Sequence, residues 1–361
     1  MDEIAGRASV AFPRRWWYPA CMSNELKGKP VGITLMDEPV VVFRDGAGSA
    51  HALADRCPHR NMPLSLGRVA DDGCLECCYH GWRFDGDGTC RAVPGLLGGD
   101  AAASPNRAVA AYPVEERDGV VWLWPEAGAT PARPPFELPS FDGAGTGQVV
   151  FRYDLESTMH AALENALDVP HTAFLHRGIF RGGDPREITA VRRDLPEGIE
   201  VQYLGEPVGM GPIRGKQGSA TTFDHWDRFF LPGIAQIEYR VEGWLRIVNT
   251  IVHLPLSPFR TRAWFVVRFW TRLPAAVVKP IVLARGKQIL RQDAWALEHQ
   301  TEQIRRFGGE QYSSTDLDVM GNGIWRLLRR AERDEVAAGN GSGVADGSTP
   351  ETGTDEVTFT I

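Results

Sequence analysis

The sequence predicts an α+β protein: a β-rich N-terminal domain, then a larger domain in which helices accompany an antiparallel sheet. Three observations lead there. The chain has 361 residues, enough for two cores at roughly 150 residues per domain. Its first 135 residues break into short β-branched or apolar runs separated by Gly and Pro. Residues 140–336 mix alternating runs with one long stretch of helical periodicity.

Val40–Phe43 is a β-branched run closed by Asp45-Gly46, and His51–Ala54 is short and apolar. Gly119–Trp124 is a buried-strand pattern stopped by Pro125. Thr130–Pro139 is Pro-rich; Pro fixes φ and lacks an N–H, so the stretch reads as a linker. A helix begins at Met159, in the segment that runs to His176. Val201–Tyr203, Ala235–Val241, Trp244–His253 and Arg262–Trp270 read as antiparallel strands. Val277–Phe307 reads as a long helix, with Ile289, Leu290, Leu297 and Ile304 at helical spacing. From Ala337 the chain is rich in Gly, Ser, Thr and Asp without an apolar pattern, which predicts a disordered acidic tail over 337–361. The expected domains are thus 1–135 and 140–336.

At 43% hydrophobic and 24% charged residues the chain is neither disordered as a whole nor membrane-spanning. The net charge of −7 argues against a nucleic-acid-binding face. Seven acids against one Arg from Ala331 onward put most of that charge in the tail. The acidic N-terminus lacks a signal-peptide pattern and no apolar run nears ~20 residues, so a cytoplasmic protein without a membrane span is expected. The stretch Gly209–Gly218 has neither the spacing nor the context of a dinucleotide fingerprint.

Four of the 6 cysteines (Cys57, Cys74, Cys77 and Cys78) crowd into one segment, which suggests metal rather than disulfides. Cys57-Pro58-His59 and Cys77-Cys78-Tyr79-His80-Gly81-Trp82 can each offer a thiolate and an imidazole from a tight loop. Two Cys on one iron and two His on the other is the arrangement of a Rieske [2Fe–2S] centre. A zinc knuckle built from Cys57, His59, Cys74 and Cys77 is the competing arrangement.

The second constellation is Asn165, Asp168, His171 and His176, spaced N-x-x-D-x-x-H-x4-H. On a helix the first three share a side, whereas His176 lies about 140° from His171. The two imidazoles converge only if the helix breaks or widens between them, and Pro170 supports an irregularity. Two His and one carboxylate make the facial triad of non-heme Fe(II) oxygenases. Asp293 is the carboxylate chosen: it shares a helix face with Leu290 and Leu297, where an unpaired charge is costly. Glu298, the competitor, sits about 140° around toward the polar side. Glu164 and His299 read as solvated, and His160 and His253 as packing or pocket residues. Trp226, Trp244, Trp264 and Trp270 read as core, with some free to line a cavity.

Cys57-Pro58-His59-Arg60, Leu64-Ser65-Leu66-Gly67 and Cys77-x-Tyr79-His80-Gly81-Trp82, with the second motif, resemble the catalytic subunit of Rieske non-heme iron oxygenases over roughly residues 14–330. The spacing is most similar to the monooxygenase-like branch of vanillate and dicamba O-demethylases and pheophorbide a oxygenase. Cys78 stands where that family usually has Pro, and Asn61 where it has Gly; Asn tolerates the left-handed region.

The resemblance implies a helix-grip catalytic domain, Cys57 and Cys77 on one cluster iron, His59 and His80 on the other, and a mononuclear Fe(II) on His171, His176 and Asp293. It also implies a homotrimer, in which Asp168 bridges His171 and His80 of the partner subunit, with Asn165 supporting the site. Electrons would come from NAD(P)H through a separate ferredoxin or flavin reductase, with O2 as co-substrate. The expected reaction is monooxygenation, by hydroxylation or oxidative demethylation, of an apolar, ring-containing small molecule. Desaturation or ring dihydroxylation at the same iron is the alternative, and a pure Rieske electron carrier the alternative from another class.

Overall fold

The computed structural model describes residues 4–96, 104–177, 179, 187–206, 224–339 and 354–360. It divides into two compact units, Arg14–Glu137 and a larger one of Met1–Pro13 with Leu138–Ile361. The division at Glu137 lies inside the Pro-rich stretch. The first thirteen residues, expected in the N-terminal domain, belong instead with the larger unit. Ser9 donates from its N–H and its Oγ to Glu310 Oε2 (2.7 and 2.6 Å), and the Phe12 N–H donates to Glu332 (3.1 Å). Those partners lie some 300 positions away, and no local pattern announces them.

The smaller unit is all β. Its strands are β1 (Tyr18–Met22), β2 (Val31–Leu35), β3 (Glu38–Arg44), β4 (Ala50–Ala54), β5 (Arg68–Val69), β6 (Leu75–Glu76), β7 (Arg83–Phe84), β8 (Cys90–Ala92), β9 (Ala111–Tyr112), β10 (Val114–Arg117) and β11 (Val120–Leu123). Among the described residues they form sheets of order β1-β11-β10, β2-β3-β4-β9 and β5-β6-β7-β8. The β-branched run of β3 is buried from Val40 to Phe43, and all of β11 is buried. Val41, Phe43, Leu53, Leu64, Leu75 and Phe84 build a core that includes Cys57 and Cys77. Both cysteine loops are therefore anchored in packed interior.

The larger unit is one antiparallel sheet with helices. It comprises β12 (Thr146–Leu155), α1 (Met159–Ala166), β13 (Glu187–Leu195), β14 (Gly198–Leu204), β15 (Asp224–Phe230), β16 (Ile234–Val241), β17 (Leu245–Ser257), β18 (Arg260–Thr271), α2 (Ala275–Phe307), α3 (Gly321–Gly339) and β19 (Thr354–Thr360). The eight-stranded order is β12-β18-β17-β16-β15-β14-β13-β19. The four expected strands fall in β14, β16, β17 and β18, and the expected long helix is α2. Gly308 ends α2 at φ 72°, a left-handed cap.

Three elements differ from expectation. The segment from Met159 is helical only to Ala166. The helix α3, with Ile324, Leu328 and Ala331 buried at helical spacing, was not anticipated. The tail is not wholly without structure: β19 pairs with β13 from Thr354↔Arg193 to Thr360↔Glu187. Val357 and Phe359 alternate with polar residues there, but the pattern is too short to stand out in so polar a context. Residues 340–353 and the glycine-rich Gly209–Gly218 lie outside the described residues.

Strand β15 hid from the sequence because its inward positions include His225 and Asp227, both buried. His225 faces Glu206 through Nδ1 (2.6 Å) and Asp227 through Nε2 (3.0 Å). Its ring stacks between Tyr203 and Tyr239, with centroids 4.8 and 4.3 Å away. Burial alone would lower its pKa, yet the Asp227 and Glu206 carboxylates raise it to about 9. The folded chain therefore binds this proton more tightly than the unfolded chain, whose His titrates near ~6.5. The resulting stabilisation, on the order of 3 kcal/mol, is complete below ~6.5 and lost as pH rises through about 9. Denaturation midpoints compared between the wild type and His225→Phe should converge across that window; a difference independent of pH would remove the imidazolium from the account.

Candidate metal centres

The two cysteine loops of the smaller unit are built alike. The Cys57 N–H donates to Met62 O (2.8 Å) and the Asn61 N–H to Cys57 O (2.9 Å). The Cys77 N–H donates to Trp82 O (2.8 Å) and the Gly81 N–H to Cys77 O (3.0 Å). Asn61 (φ 60°) and Gly81 (φ 71°) occupy the same left-handed position, so Asn61 serves there as expected. Gly67 is required sterically, because a Cβ there would lie 2.1 Å from Glu76 O.

This geometry brings the four candidate ligands together. His59 and His80 have ring centroids 4.3 Å apart, and His59 stacks on Trp82 at 4.8 Å. Cys57 and Cys77 are buried beneath them, while Cys78 is exposed. Burial and the adjacent Cys77 push the Cys57 thiol up to about 11. His59 Nδ1 is buried with no hydrogen-bond partner. Two buried thiols beside an orphaned imidazole nitrogen form a donor set that suits an iron–sulfur cluster with two imidazole ligands.

In the larger unit, Thr158 caps α1, its Oγ1 accepting from the Ala161 N–H (3.1 Å). The helix stops at Ala166, and Pro170 opens a separate 3₁₀ turn over Pro170–Ala173 that carries His171. Asn165, Asp168 and His171 thus do not share one helix. The break precedes His171, and it lets the ring turn toward His176. His171 Nε2 and His176 Nε2 lie 3.1 Å apart. Asp293 Oδ1 lies 2.9 Å from His176 Nε2 and 3.5 Å from His171 Nε2, yet none of these angles gives Oδ1 a hydrogen bond. Two ring nitrogens and a carboxylate oxygen aimed at one point fit a divalent cation.

The Asp293 side chain is 15% exposed, between the buried Leu290 and Leu297, whereas Glu298 is exposed. Burial would raise its pKa, but His171 and His176 hold it below the usual carboxylate range. Burial likewise opposes a charge on His171, while Asp168 and Asp293 raise it to about 9. Asp168 Oδ2 is 3.4 Å from His171 Nδ1.

Sequence reasoning missed Gln292, whose Oε1 lies 2.9 Å from His176 Nδ1. The amide oxygen accepts the Nδ1 proton and leaves the Nε2 lone pair facing Asp293. Being next to Asp293 is its only signal in the sequence. Gln292→Leu should weaken metal binding about 10–100-fold with little change in fold; unchanged affinity in a metal titration would assign Gln292 to packing alone.

A cavity of ≈ 380 Å³ adjoins this segment, lined among others by Glu164, Asn165, Asp168, Tyr203, Tyr312 and Gly321. Glu164, expected on a solvated helix face, borders it instead. Burial and the carboxylates of Asp168 and Asp318 push Glu164 up to about 7. His160 and His253 are buried on the carbonyls of Gly321 (3.1 Å) and Gly233 (2.9 Å), as packing residues. Trp264 is core, but Trp244 is 59% exposed rather than packed.

A thiolate–imidazole centre in one unit and a His–His–carboxylate centre in the other define an iron-dependent redox enzyme with separate places for storing electrons and for meeting oxygen. Residues 16–112 match the Rieske [2Fe-2S] domain, and 155–334 the vanillate O-demethylase oxygenase C-terminal domain. The chain is 29% identical over 317 residues to the 4beta-methylsterol monooxygenase of Methylococcus capsulatus, covering 82% of this chain and 83% of that protein. It is 37% identical over 232 residues to the dicamba O-demethylase oxygenase component of Stenotrophomonas maltophilia, covering 60% of this chain and 64% of that one. The crystal structure of dicamba monooxygenase bound to 3,6-dichlorosalicylic acid superposes with a TM-score of 0.75 at 24% identity, over 91% of this chain and all of that one. The chain belongs to the Rieske non-heme iron oxygenases, which use a [2Fe–2S] cluster, a mononuclear iron and O2. Among the described residues, no helix is long and apolar enough to cross a membrane.

Proposed function

We propose that this protein is the oxygenase component of a monooxygenase system. It adds one oxygen atom from O2 to an apolar, ring-containing small molecule, by hydroxylation or oxidative demethylation. The convergence of His171, His176 and Asp293 within 3.5 Å of one another carries the reading. Three ligands on one side leave positions open for O2 beside substrate. The relatives' names include a methylsterol and an O-demethylation, and 3,6-dichlorosalicylic acid is bound in the similar structure.

In this reading Cys57 and Cys77 hold one cluster iron, and His59 and His80 the other. When bound, the cluster supplies single electrons and the mononuclear iron the place where O2 is activated. Asp168, whose Oδ2 lies 3.4 Å from His171 Nδ1, would draw in to accept from that ring and, in a homotrimer, from His80 of the partner subunit, which would fix both rings. Asn165 supports the segment from the cavity wall. Electrons reach the cluster from NAD(P)H through a separate ferredoxin or flavin reductase, in the cytoplasm.

Purified protein should hold about three irons per chain, two in the cluster and one mononuclear. With a surrogate reductase and a panel of ring compounds, mass spectrometry should find products that have gained one oxygen or lost a methylene. Products lacking two hydrogens would make it a desaturase. About two irons with a reduced Rieske EPR signal and no product would make it an electron carrier, and a colourless zinc protein would end the reading.

A further inference from the structure

The helix α2 has two apolar faces, and the chain covers only one. Its inner face packs through Gly286, where a Cβ would lie 2.9 Å from the Phe151 ring, and through the buried Leu290, Leu297 and Ile304. At about 100° per residue, Val277, Ile281, Ala284, Gln288 and Trp295 lie on the opposite side within about 40° of one line. Val277 is 54%, Ile281 58% and Trp295 57% exposed. From Ala275 to Ile289 no residue of the helix is buried. An ordinary surface helix places charge where this one places Val and Ile.

From its start to Arg291 this stripe is bordered by cations, and the exposed Glu298 and Glu302 lie on the same side only past Trp295. Arg272, Arg285, Lys287 and Arg291 are exposed, Lys279 is exposed on the opposite side, and no Asp or Glu occurs from Arg272 to Gln292. Arg285 and Lys287 flank the stripe, about 80° to either side. This run of cations belongs to a chain of net charge −7. At the start of the helix the exposed Leu273 and Trp244 add apolar surface, and the Arg272 guanidinium sits 4.8 Å over the Trp244 ring. Of the neighbouring acids, Glu242 lies in the same turn as Trp244, Asp293 is turned inward, and Glu298 follows Trp295 by one turn.

We propose that this outer face of α2 docks on an anionic lipid bilayer, with the helix lying along the surface. Val277, Ile281 and Trp295 would enter the boundary between headgroups and acyl chains. Arg285, Lys287 and Arg291 would meet lipid phosphates, and the Arg272–Trp244 pair would sit at headgroup level. A two-fold contact of this face with itself would oppose cation to cation; contact with an unlike face of another copy, as in a trimer, is distinguished by sedimentation mass. On the function proposed above, such docking brings the oxygenase to the phase where apolar substrate concentrates. The docking itself does not depend on that reading.

The test is flotation of the full-length holoprotein with phosphatidylcholine vesicles, with and without phosphatidylglycerol. Binding should appear with the anionic lipid and weaken as salt rises. Arg285→Glu with Lys287→Glu, and separately Val277→Ser with Ile281→Ser, should each lower the bound fraction about tenfold or more. Iron content and circular dichroism should stay unchanged in both. No binding to either vesicle, or equal binding to both, would overturn the proposal. So would a fall in sedimentation mass in either double variant, which would assign the face to contact between copies.

Discussion

Asp293→Ala is expected to yield a protein with its Rieske spectrum intact, about two irons per chain instead of about three, and no turnover above background. Among the described residues, this carboxylate is the sole anion facing both Nε2 atoms, at 2.9 and 3.5 Å. Without it two neutral imidazoles remain, a donor set too weak to hold a divalent ion against water. The smaller unit has its own core and its own Cys–His loops, so its colour should not change. Iron analysis beside the EPR signal of the reduced protein decides the matter. Glu298→Ala, on the exposed side of α2, is the control and should keep the full iron complement. Equal loss in both variants would remove Asp293 from the ligand set.

Asp168→Asn should produce a different defect: full iron content, unchanged spectra, and turnover reduced about 100-fold or more. The amide keeps the shape of the side chain but loses the charge that sits 3.4 Å from His171 Nδ1. Asp168 is also a third exposed. With substrate and O2 present, the reduced cluster should persist in the variant, whereas in the wild type it should be reoxidised and its visible absorbance should return. Full activity in Asp168→Asn would eliminate the bridging role, and loss of the mononuclear iron would recast Asp168 as a residue that holds the site together.

The sequence made the site more legible than the scaffold. Cys57, His59, Cys77 and His80 stand at fixed offsets in two loops that close on themselves, so their meeting is a local matter. Asp293 was legible because a charge between Leu290 and Leu297 contradicts its helix face. His171 and His176 needed a break that the sequence hinted at through Pro170, but its place, before His171, depends on where α1 stops. Gln292 could not be read, because a polar residue beside Asp293 looks like any helix position until His176, 116 residues away, is brought to it. The strand β15 was hidden by what makes it unusual, since His225 and Asp227 occupy inward positions where the pattern looks for apolar side chains. Elements set by distant pairing, such as β19 and the Ser9–Glu310 contact, leave no periodic trace.

The strand β19 also bears on how the protein is handled. It is the last strand on one side of the eight-stranded sheet, laid over β13 along its described length. Cutting the chain before Thr354 would leave the backbone N–H and C=O groups of β13 open to another molecule's strand, a known route to aggregation. The replacement edge that β19 offers is short and carries Asp355 and Glu356, charges that discourage edge-to-edge pairing. Solubility on expression therefore rests in part on Thr354–Thr360, the strand that covers β13.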